Sequence, residues 1–205
     1  MQKIYYKWRN PNHPKPNRAV LNRFARLAAH YAGLPEEFGW FLEVDFVDDP
    51  AMTRANEGLL GHEGTTDVIT FCYFDEECPE LLEGETAIEL IVNPDAAARE
   101  GNKRKNSSYS RETALYVVHG LLHSAGEDDL DPVSRRRMRR REREVMKALE
   151  DDANAFCERA KAEDLLIVAG DGFGCPGYVR ISYCVDEDMI KRSFGAFERL
   201  YQSYQ

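Results

Sequence analysis

Two of the five histidines of this 205-residue chain lie four positions apart in the segment HGLLHSAGEDD, residues 119–129. On an α-helix this spacing places His119 and His123 on one face, about 6 Å apart along the axis. Gly126 is suited to the left-handed conformation that ends a helix, and such a turn brings Asp129 back toward the imidazoles. Three ligands with a fourth position open form the arrangement of a catalytic zinc site. The segment therefore predicts a metal site at His119, His123 and Asp129.

Two other interpretations of this segment stay open from the spacing alone. In the first, the two histidines only fill or cap a helix and bind nothing. In the second, the segment belongs to a zinc protease of the HExxH type, whose general base is the glutamate directly after the first histidine. That position is Gly120 here, which disfavours a metallopeptidase, although Glu127 and Asp128 are carboxylates nearby.

The segments around the motif have the patterns of alternating strands and helices. Aromatic and β-branched residues predict strands at residues 3–8, 40–47, 67–74 and 87–92. Apolar spacing predicts a helix that Gly33 ends, and a short helix over residues 49–60 that runs into a loop. After Lys105 the pattern predicts a helix with Ser110 as its N-cap and a wide apolar face, so the histidines should lie on a central, largely buried helix.

A second helix is predicted directly after the motif, with Pro132 in its first turn. It contains seven arginines in the nine residues 135–143, and residues 103–105 add a second basic cluster. The net charge of −9 speaks against attraction of nucleic acid to the whole surface, but it does not exclude a local basic patch. Both a solvated helix held by a narrow apolar stripe and a surface that faces RNA fit this arginine run.

Composition favours a soluble protein of the reducing cytoplasm. No stretch approaches the roughly 18 uncharged apolar residues that a membrane span needs, and the N-terminal segment lacks the apolar core of a secretion signal. The five cysteines contain no CxxC pair and leave one over, which is poor material for a disulfide framework.

The histidine motif, with TTDVITF (residues 65–71) and ELIVNPDAAAREG (residues 89–101), resembles the YbeY family of metal-dependent single-strand endoribonucleases. The resemblance covers about residues 1–150. It implies an α+β fold in which helices cover a mixed sheet, with the metal-site helix central and one Zn²⁺ ion per chain in the histidine motif. It also implies cytoplasmic maturation of ribosomal RNA at the 3′ end of the small-subunit RNA, with precursor RNA and the small subunit as partners.

The chain departs from the family pattern at two positions. Most members have a third histidine where this chain has Asp129; an oxygen ligand there preserves metal binding but makes the ion less electrophilic. Many members have an arginine where this chain has Leu60, and phosphodiester cleavage needs positive charge near the reacting phosphate. Five basic residues are candidates to supply that charge and contact RNA: Arg54, Lys103, Arg104, Arg135 and Arg136.

These observations favour metal-assisted RNA cleavage, with water or the substrate's own 2′-hydroxyl as the attacking group. A second hypothesis is a ribosome-associated RNA-binding factor that keeps the metal site and has lost cleavage, which the Leu60 and Asp129 departures support. A metallopeptidase is the third and is disfavoured by Gly120.

Residues 151–205 are predicted to form a separate C-terminal appendage of helix, strand, Gly-rich loop, strand and helix. FGCPGYVRISYC, residues 173–184, resembles the C-terminal end of a class I aminotransferase that uses pyridoxal phosphate, in which Arg180 would match a carboxylate-binding arginine. The chain has no counterpart of the large domain or of its Schiff-base lysine, so no pyridoxal phosphate is expected and Arg180 is interpreted as structural. A segment this short buries little core alone, so we expect it to dock on the first domain, to pair with another copy or to be poorly ordered.

Overall fold

The computed structural model describes residues 3–15, 18–34, 40–74, 86–103, 107–173, 178–182 and 184–203. The chain divides into two compact units, Met1–Met146 and Lys147–Gln205, and each is described by itself. Among the described residues, no helix combines the length and the apolar character that crossing a bilayer requires. Cys157 is buried, Cys72 is partly buried and Cys184 is exposed, while Cys78 and Cys175 lie outside the described residues.

The first unit contains a four-stranded mixed sheet. Its strands are β1 Lys3–Trp8, β2 Trp40–Phe46, β3 Val68–Phe74 and β4 Thr86–Val92. The spatial order is β1-β2-β4-β3, in which β1, β2 and β4 run parallel and β3 pairs antiparallel with β4. Alternate residues of β2 and β4 are almost completely buried, so one face of these strands forms the core. The expected α+β fold with a mixed sheet is confirmed.

Among the described residues, five α-helices lie wholly or partly in the first unit. They are α1 Arg18–Ala32, α2 Asp49–Ala55, α3 Pro94–Lys103, α4 Tyr109–Ser124 and α5 Pro132–Ala162. A single π-helical turn, Asn56–Leu60, continues α2 into the loop before β3. Helix α1 ends at Ala32, directly before Gly33, as predicted. Gly33 takes a left-handed φ of +91°. The sequence patterns did not predict α3.

The helix that carries the two histidines, α4, is central and packs against β3, β4, α1 and α3. The predicted N-cap at Ser110 is wrong: the cap is Ser108, which has extended backbone and accepts a hydrogen bond from the amide of Arg111 at 3.2 Å. Gly120 allows α4 to approach the sheet closely. A Cβ at this position would lie 2.6 Å from Leu90 Cδ2 and 2.8 Å from Thr70 Oγ1.

A saturated polar network joins the end of β4 to α2 and α3. The side-chain amide of Asn93, which is completely buried, donates to Asp49 Oδ1 at 2.8 Å, to Thr65 Oγ1 at 2.9 Å and to the carbonyl of Thr66 at 3.0 Å. Its oxygen accepts from the amide of Asp95 at 3.1 Å. Both terminal nitrogens of Arg99 donate to the Asp49 carboxylate. These bonds, together with those from Asn93 and Thr65, hold the pKa of Asp49 below its ordinary value. We refer to these residues as the Asn93 network.

The long helix α5 runs without interruption across the predicted boundary at residue 150. The first helix of the C-terminal segment is therefore the continuation of α5 and not a separate element, because residues 133–162 contain no glycine or proline to end it. The change to acidic and small residues alters the surface of the helix but leaves its backbone helical. The position of a domain boundary at residue 150 stays a prediction.

The second unit contains the predicted strand, loop, strand and closing helix. These elements are β5 Val168–Ala169, a 3₁₀ turn at Gly170–Phe173, β6 Val179–Arg180 and α6 Glu187–Gln202, with β5 and β6 antiparallel. A small core is formed by Cys157, Ala160, Leu165, Ile167, Ala196 and Leu200. The exposed Arg180 guanidinium lies 4.8 Å from the ring centre of Phe173, a local contact that fits a structural role.

Candidate metal centre

The loop after α4 returns the chain toward the histidines. Gly126 takes a left-handed φ of +89°, as its position in the motif predicts. Its amide donates to the carbonyl of His123 at 2.9 Å, and the amide of Glu127 donates to the carbonyl of Leu122 at 2.9 Å. These bonds form a helix-ending motif that satisfies the last carbonyls of α4. The reversal places Asp129 beside the face that carries both imidazoles.

Three side chains converge at this point. The Nε2 atoms of His119 and His123 lie 3.0 Å apart, and the Asp129 carboxylate oxygens lie 4.0 Å from His119 Nε2 and 3.7 Å from His123 Nε2. One ligand atom from each residue lies within 4.8 Å of the others. A tetrahedral ion with nitrogen ligands at about 2.05 Å separates them by roughly 3.3 Å, which is close to the observed spacing. The donor set thus fits a divalent ion such as zinc, while the ligand roles stay a prediction.

The Nδ1 atom of each imidazole lies within hydrogen-bonding distance of an acceptor. His119 Nδ1 lies 2.6 Å from Glu142 Oε1, and His123 Nδ1 lies 3.0 Å from the carbonyl oxygen of Glu127. A carbonyl and an ionised carboxylate can only accept, so both Nδ1 atoms carry the hydrogen. In the neutral rings, both Nε2 atoms then present lone pairs toward each other. Two lone pairs at this distance repel unless a proton or a cation lies between them.

The sequence patterns did not identify Glu142, although its position on α5 indicates that it lies on the apolar side of that helix. The buried residues Met138, Val145 and Leu149 form the apolar stripe of the helix, and Glu142 stands on the same side, four residues after Met138 and three before Val145. A carboxylate on an otherwise apolar stripe needs a partner when it is buried. His119 is that partner.

Opposing effects act on the pKa of His119. Burial by itself would lower this pKa, but the hydrogen bond and the negative charge of Glu142, with smaller contributions from Asp67 and Asp129, raise it above its ordinary value. A local field that favours positive charge on His119 also favours a bound cation. Protons and metal ions therefore compete for His119 Nε2.

Two arginines of α5 form ion pairs with the loop that carries Asp129. Both Arg137 and Arg141 form ion pairs with the carboxylate of Glu127, and Arg141 also pairs with Glu144 at 3.0 Å. The carbonyl of Glu127 is the acceptor for His123, so these contacts help to fix that ring. Part of the arginine run is therefore structural.

The histidines line a cleft with a volume of about 290 Å³. Leu60, at the end of the π-helical turn, lines the same cleft, together with residues of β3: Val68, Ile69, Thr70 and Cys72. The Leu60 side chain is exposed, and it places an apolar group where the family resemblance leads us to expect an arginine. The buried hydroxyl oxygen of Thr70 has no hydrogen-bond partner among the described residues.

The predicted RNA-contact residues have different surroundings. Arg135 lies beside the loop that carries Asp129, since its Nε donates to the carbonyl oxygen of Asp129 at 3.2 Å. Arg54 and Arg136 are exposed, while Lys103 is exposed and paired with Glu100 at 2.8 Å. Within the described ranges, none of these four lines the cleft. Arg104 lies outside the described residues.

An α+β fold with two histidines of one helix and a carboxylate of the following loop defines a candidate hydrolytic metal centre. A family model described as Endoribonuclease YbeY matches residues 6–150. The chain belongs to this family.

Curated relatives agree with the family match. The chain is 34% identical over 114 residues to the endoribonuclease YbeY of Salinibacter ruber, which covers 53% of this chain and 69% of that protein. It is 38% identical over 107 residues to that of Rhodopirellula baltica, covering 52% of each, and 31% identical over 145 residues to that of Chlorobium phaeovibrioides, covering 70% and 89%. A solution structure of TM1509 from Thermotoga maritima matches with a TM-score of 0.41 and 22% identity, covering 72% of this chain and 91% of that chain.

The family match does not reach residues 151–205. The aminotransferase resemblance of residues 173–184 finds no support in these comparisons. The C-terminal unit therefore remains without a functional assignment.

Proposed function

We propose that this protein is a zinc-dependent endoribonuclease that cleaves single-stranded RNA. The observation that carries the proposal is the convergence of two imidazole Nε2 atoms, 3.0 Å apart, with the Asp129 carboxylate at the cleft. Two nitrogens and one oxygen suit zinc better than magnesium or calcium, which prefer oxygen ligands. The family membership supports a nuclease rather than another hydrolase.

His119, His123 and Asp129 are the residues that would hold the ion. When bound, such an ion supplies Lewis acidity that polarises a phosphate oxygen and makes water more acidic. The protein fixes the donor atoms before substrate arrives, because Glu142 and the Glu127 carbonyl hold both rings. The end groups of the product distinguish the two attacking groups: a 2′,3′-cyclic phosphate indicates the 2′-hydroxyl, and a linear phosphate indicates water.

Basic side chains close to the loop that carries Asp129 are proposed to bind the phosphates that flank the scissile bond. Arg135 is bonded to the loop itself, and Arg136 follows it on the exposed surface of α5. Arg54 and Lys103 are further candidates on α2 and α3. Single-stranded RNA suits such a site because its backbone can bend to follow separated cations.

The family membership supports precursor ribosomal RNA as the substrate and the small ribosomal subunit as a partner. We propose that this chain acts on the 3′ end of small-subunit RNA in the cytoplasm. Incubation of precursor small-subunit particles with the protein, followed by mapping of the RNA ends, tests this substrate. Cleavage scattered along the RNA, with none near the 3′ end, contradicts it.

One observation favours a second candidate, an RNA-binding factor without cleavage. Leu60 lines the cleft, and the family pattern leads us to expect an arginine at this position, so the site has less positive charge than that pattern provides. A metallopeptidase of the HExxH type stays disfavoured, since its general base would stand at the position of Gly120, where an added Cβ would lie 2.6 Å from Leu90 Cδ2 and 2.8 Å from Thr70 Oγ1.

A chelator experiment separates the two candidates. Purified protein is incubated with a fluorescent single-stranded RNA in zinc, in excess chelator, and in chelator followed by zinc restoration. Cleavage that stops with chelator and returns with zinc supports the nuclease. RNA binding without cleavage under all three conditions supports the binding factor.

A further inference from the structure

Glu142 is a carboxylate on the apolar stripe of α5 formed by Met138, Val145 and Leu149, and its contact with His119 is short and shielded. Glu142 Oε1 lies 2.6 Å from His119 Nδ1, and the two side chains are only 17% and 19% exposed. A charge-assisted hydrogen bond of this length in a shielded place is stronger than one on the surface. Such a bond fixes both the orientation of the ring and the nitrogen that carries the hydrogen.

The two histidines are oriented in different ways. His123 donates to a backbone carbonyl four residues along the chain, so its acceptor comes with the helix end. His119 depends on a side chain 23 residues away on another helix. Removal of one side chain can therefore release His119 while His123 keeps its acceptor.

We propose that Glu142 is a positioning residue for His119. It accepts the Nδ1 hydrogen, holds the ring against α5 and presents the Nε2 lone pair to the metal site. The negative charge of Glu142 also makes His119 a more basic ligand, as carboxylates behind ligating histidines do. The part of this inference that concerns metal affinity depends on the proposed metal site, whereas the part that concerns the tautomer does not.

The tautomer is measured directly on the metal-free protein. Long-range ¹H–¹⁵N NMR at alkaline pH identifies the nitrogen that carries hydrogen on each ring. The wild type should show Nδ1–H on both rings. Glu142→Ala should convert His119 to a mixture of tautomers and leave His123 unchanged, so His123 serves as an internal control. An unchanged His119 tautomer in Glu142→Ala overturns the proposal.

Zinc affinity is the second readout, measured by competition with a chromogenic chelator. Loss of a carboxylate behind a ligating histidine weakens metal binding by about 10–100-fold, which is the decrease expected for Glu142→Ala. Glu142→Gln should lie between this variant and the wild type, since its amide oxygen still accepts a hydrogen bond but carries no charge. Equal affinity of the wild type and Glu142→Ala contradicts the proposal.

The matched control is Glu144→Ala, two residues further along α5. Glu144 is 51% exposed and pairs with arginines, so its removal should leave both zinc affinity and the His119 tautomer unchanged. A decrease in Glu144→Ala as large as that in Glu142→Ala would show a general effect of charge and would overturn the positioning role. If Glu142→Ala does not fold, as judged by circular dichroism, Glu142→Leu, which fills the apolar stripe and cannot accept a hydrogen bond, carries both measurements.

These measurements separate the inference from the proposed function. If the wild type binds zinc but cleaves no RNA, the nuclease proposal fails while both readouts on Glu142 stand. If the wild type does not bind zinc, the metal part fails with the proposed function, and the tautomer measurement still decides whether Glu142 positions His119.

Discussion

Two polar clusters in the first unit differ in whether their donors and acceptors all have hydrogen-bond partners within the protein. In the Asn93 network, the amide nitrogen and oxygen of Asn93 are both bonded to other groups of the protein. At the candidate metal centre, the Nδ1 atoms of His119 and His123 are also bonded to protein groups. Their Nε2 atoms instead lie close to each other and to the Asp129 carboxylate. Among the described residues, neither Nε2 atom accepts a hydrogen bond from a group outside this cluster.

This contrast distinguishes a polar cluster that stabilises the fold from one that can bind a ligand. A buried polar group that finds protein partners for all its donors and acceptors stabilises the fold. Acceptors that converge without a donor raise the energy of the folded protein unless a cation or a proton joins them. Substitutions in the Asn93 network should therefore lower stability and leave metal binding intact. Substitutions of the candidate metal ligands should abolish metal binding and change the stability of the metal-free protein little.

The largest effect is expected from His123→Ala. This variant removes one of two nitrogen ligands, so the zinc content should fall from about one ion per chain to near zero. The free energy of unfolding of the metal-free protein should change little. Zinc is measured by mass spectrometry on dialysed protein, with His62→Ala, which replaces an exposed histidine, as the control. Retention of one zinc in His123→Ala means that the ligands have been misassigned.

Asn93→Ala should have the next largest effect, and on stability instead. It leaves Asp49 and Thr65 without their buried donor and removes the cap of α3, at a cost of about 3 kcal/mol. Urea unfolding measures this cost, and Asn102→Ala, at an exposed position of α3, is the control. A variant that unfolds like the wild type, or that loses zinc while folded, would remove the distinction between the clusters.

A smaller effect on RNA binding is expected from Arg136→Glu. Within the described part of the chain, Arg136 has no carboxylate within 4.0 Å, whereas the nearby Arg140 already pairs with Glu144. Arg136→Glu should weaken binding of single-stranded RNA in the presence of chelator and reduce the slope of log affinity against log salt by about 0.7, the value of one phosphate contact. Arg140→Glu, the matched control, should weaken binding less. Equal losses in both variants would indicate a diffuse charge effect.

The smallest effect is the pH dependence contributed by Asp49. Its pKa is lowered in the folded protein, chiefly by the hydrogen bonds from Arg99, so ionised Asp49 stabilises the fold above its unfolded pKa of about 3.9. This stabilisation is lost as the pH falls through the folded pKa. The melting temperatures of the wild type and Asp49→Asn should therefore differ at pH values above about 5 and converge on acidification. A difference that is constant with pH contradicts the role assigned to the carboxylate.

The sequence predicts the convergence of the three candidate ligands well because they are close together in the chain. His119, His123, Gly126 and Asp129 lie within eleven residues, and helix periodicity with a left-handed glycine is enough to place them together. The same argument cannot find Glu142, because its contact depends on how α5 packs against α4. Only its place on the apolar stripe indicated that it would be buried.

The remaining differences from the sequence predictions also have local causes. Ser108 rather than Ser110 caps α4 because its backbone is extended and its hydroxyl reaches the amide of Arg111. Helix α5 passes residue 150 because a change of composition without glycine or proline does not end a helix. Leu60 reaches the cleft through a π-helical turn that periodicity did not predict.

The most direct test of the account is the position of the ion in crystals grown with zinc. Anomalous diffraction at the zinc edge should show one ion per chain, bound to Nε2 of His119, Nε2 of His123 and a carboxylate oxygen of Asp129 at about 2.0–2.2 Å. A fourth position that opens to the cleft beside Leu60 should hold water or substrate. An ion bound elsewhere, or crystals that contain no ion at saturating zinc, would contradict the assignment of this cluster as a metal centre.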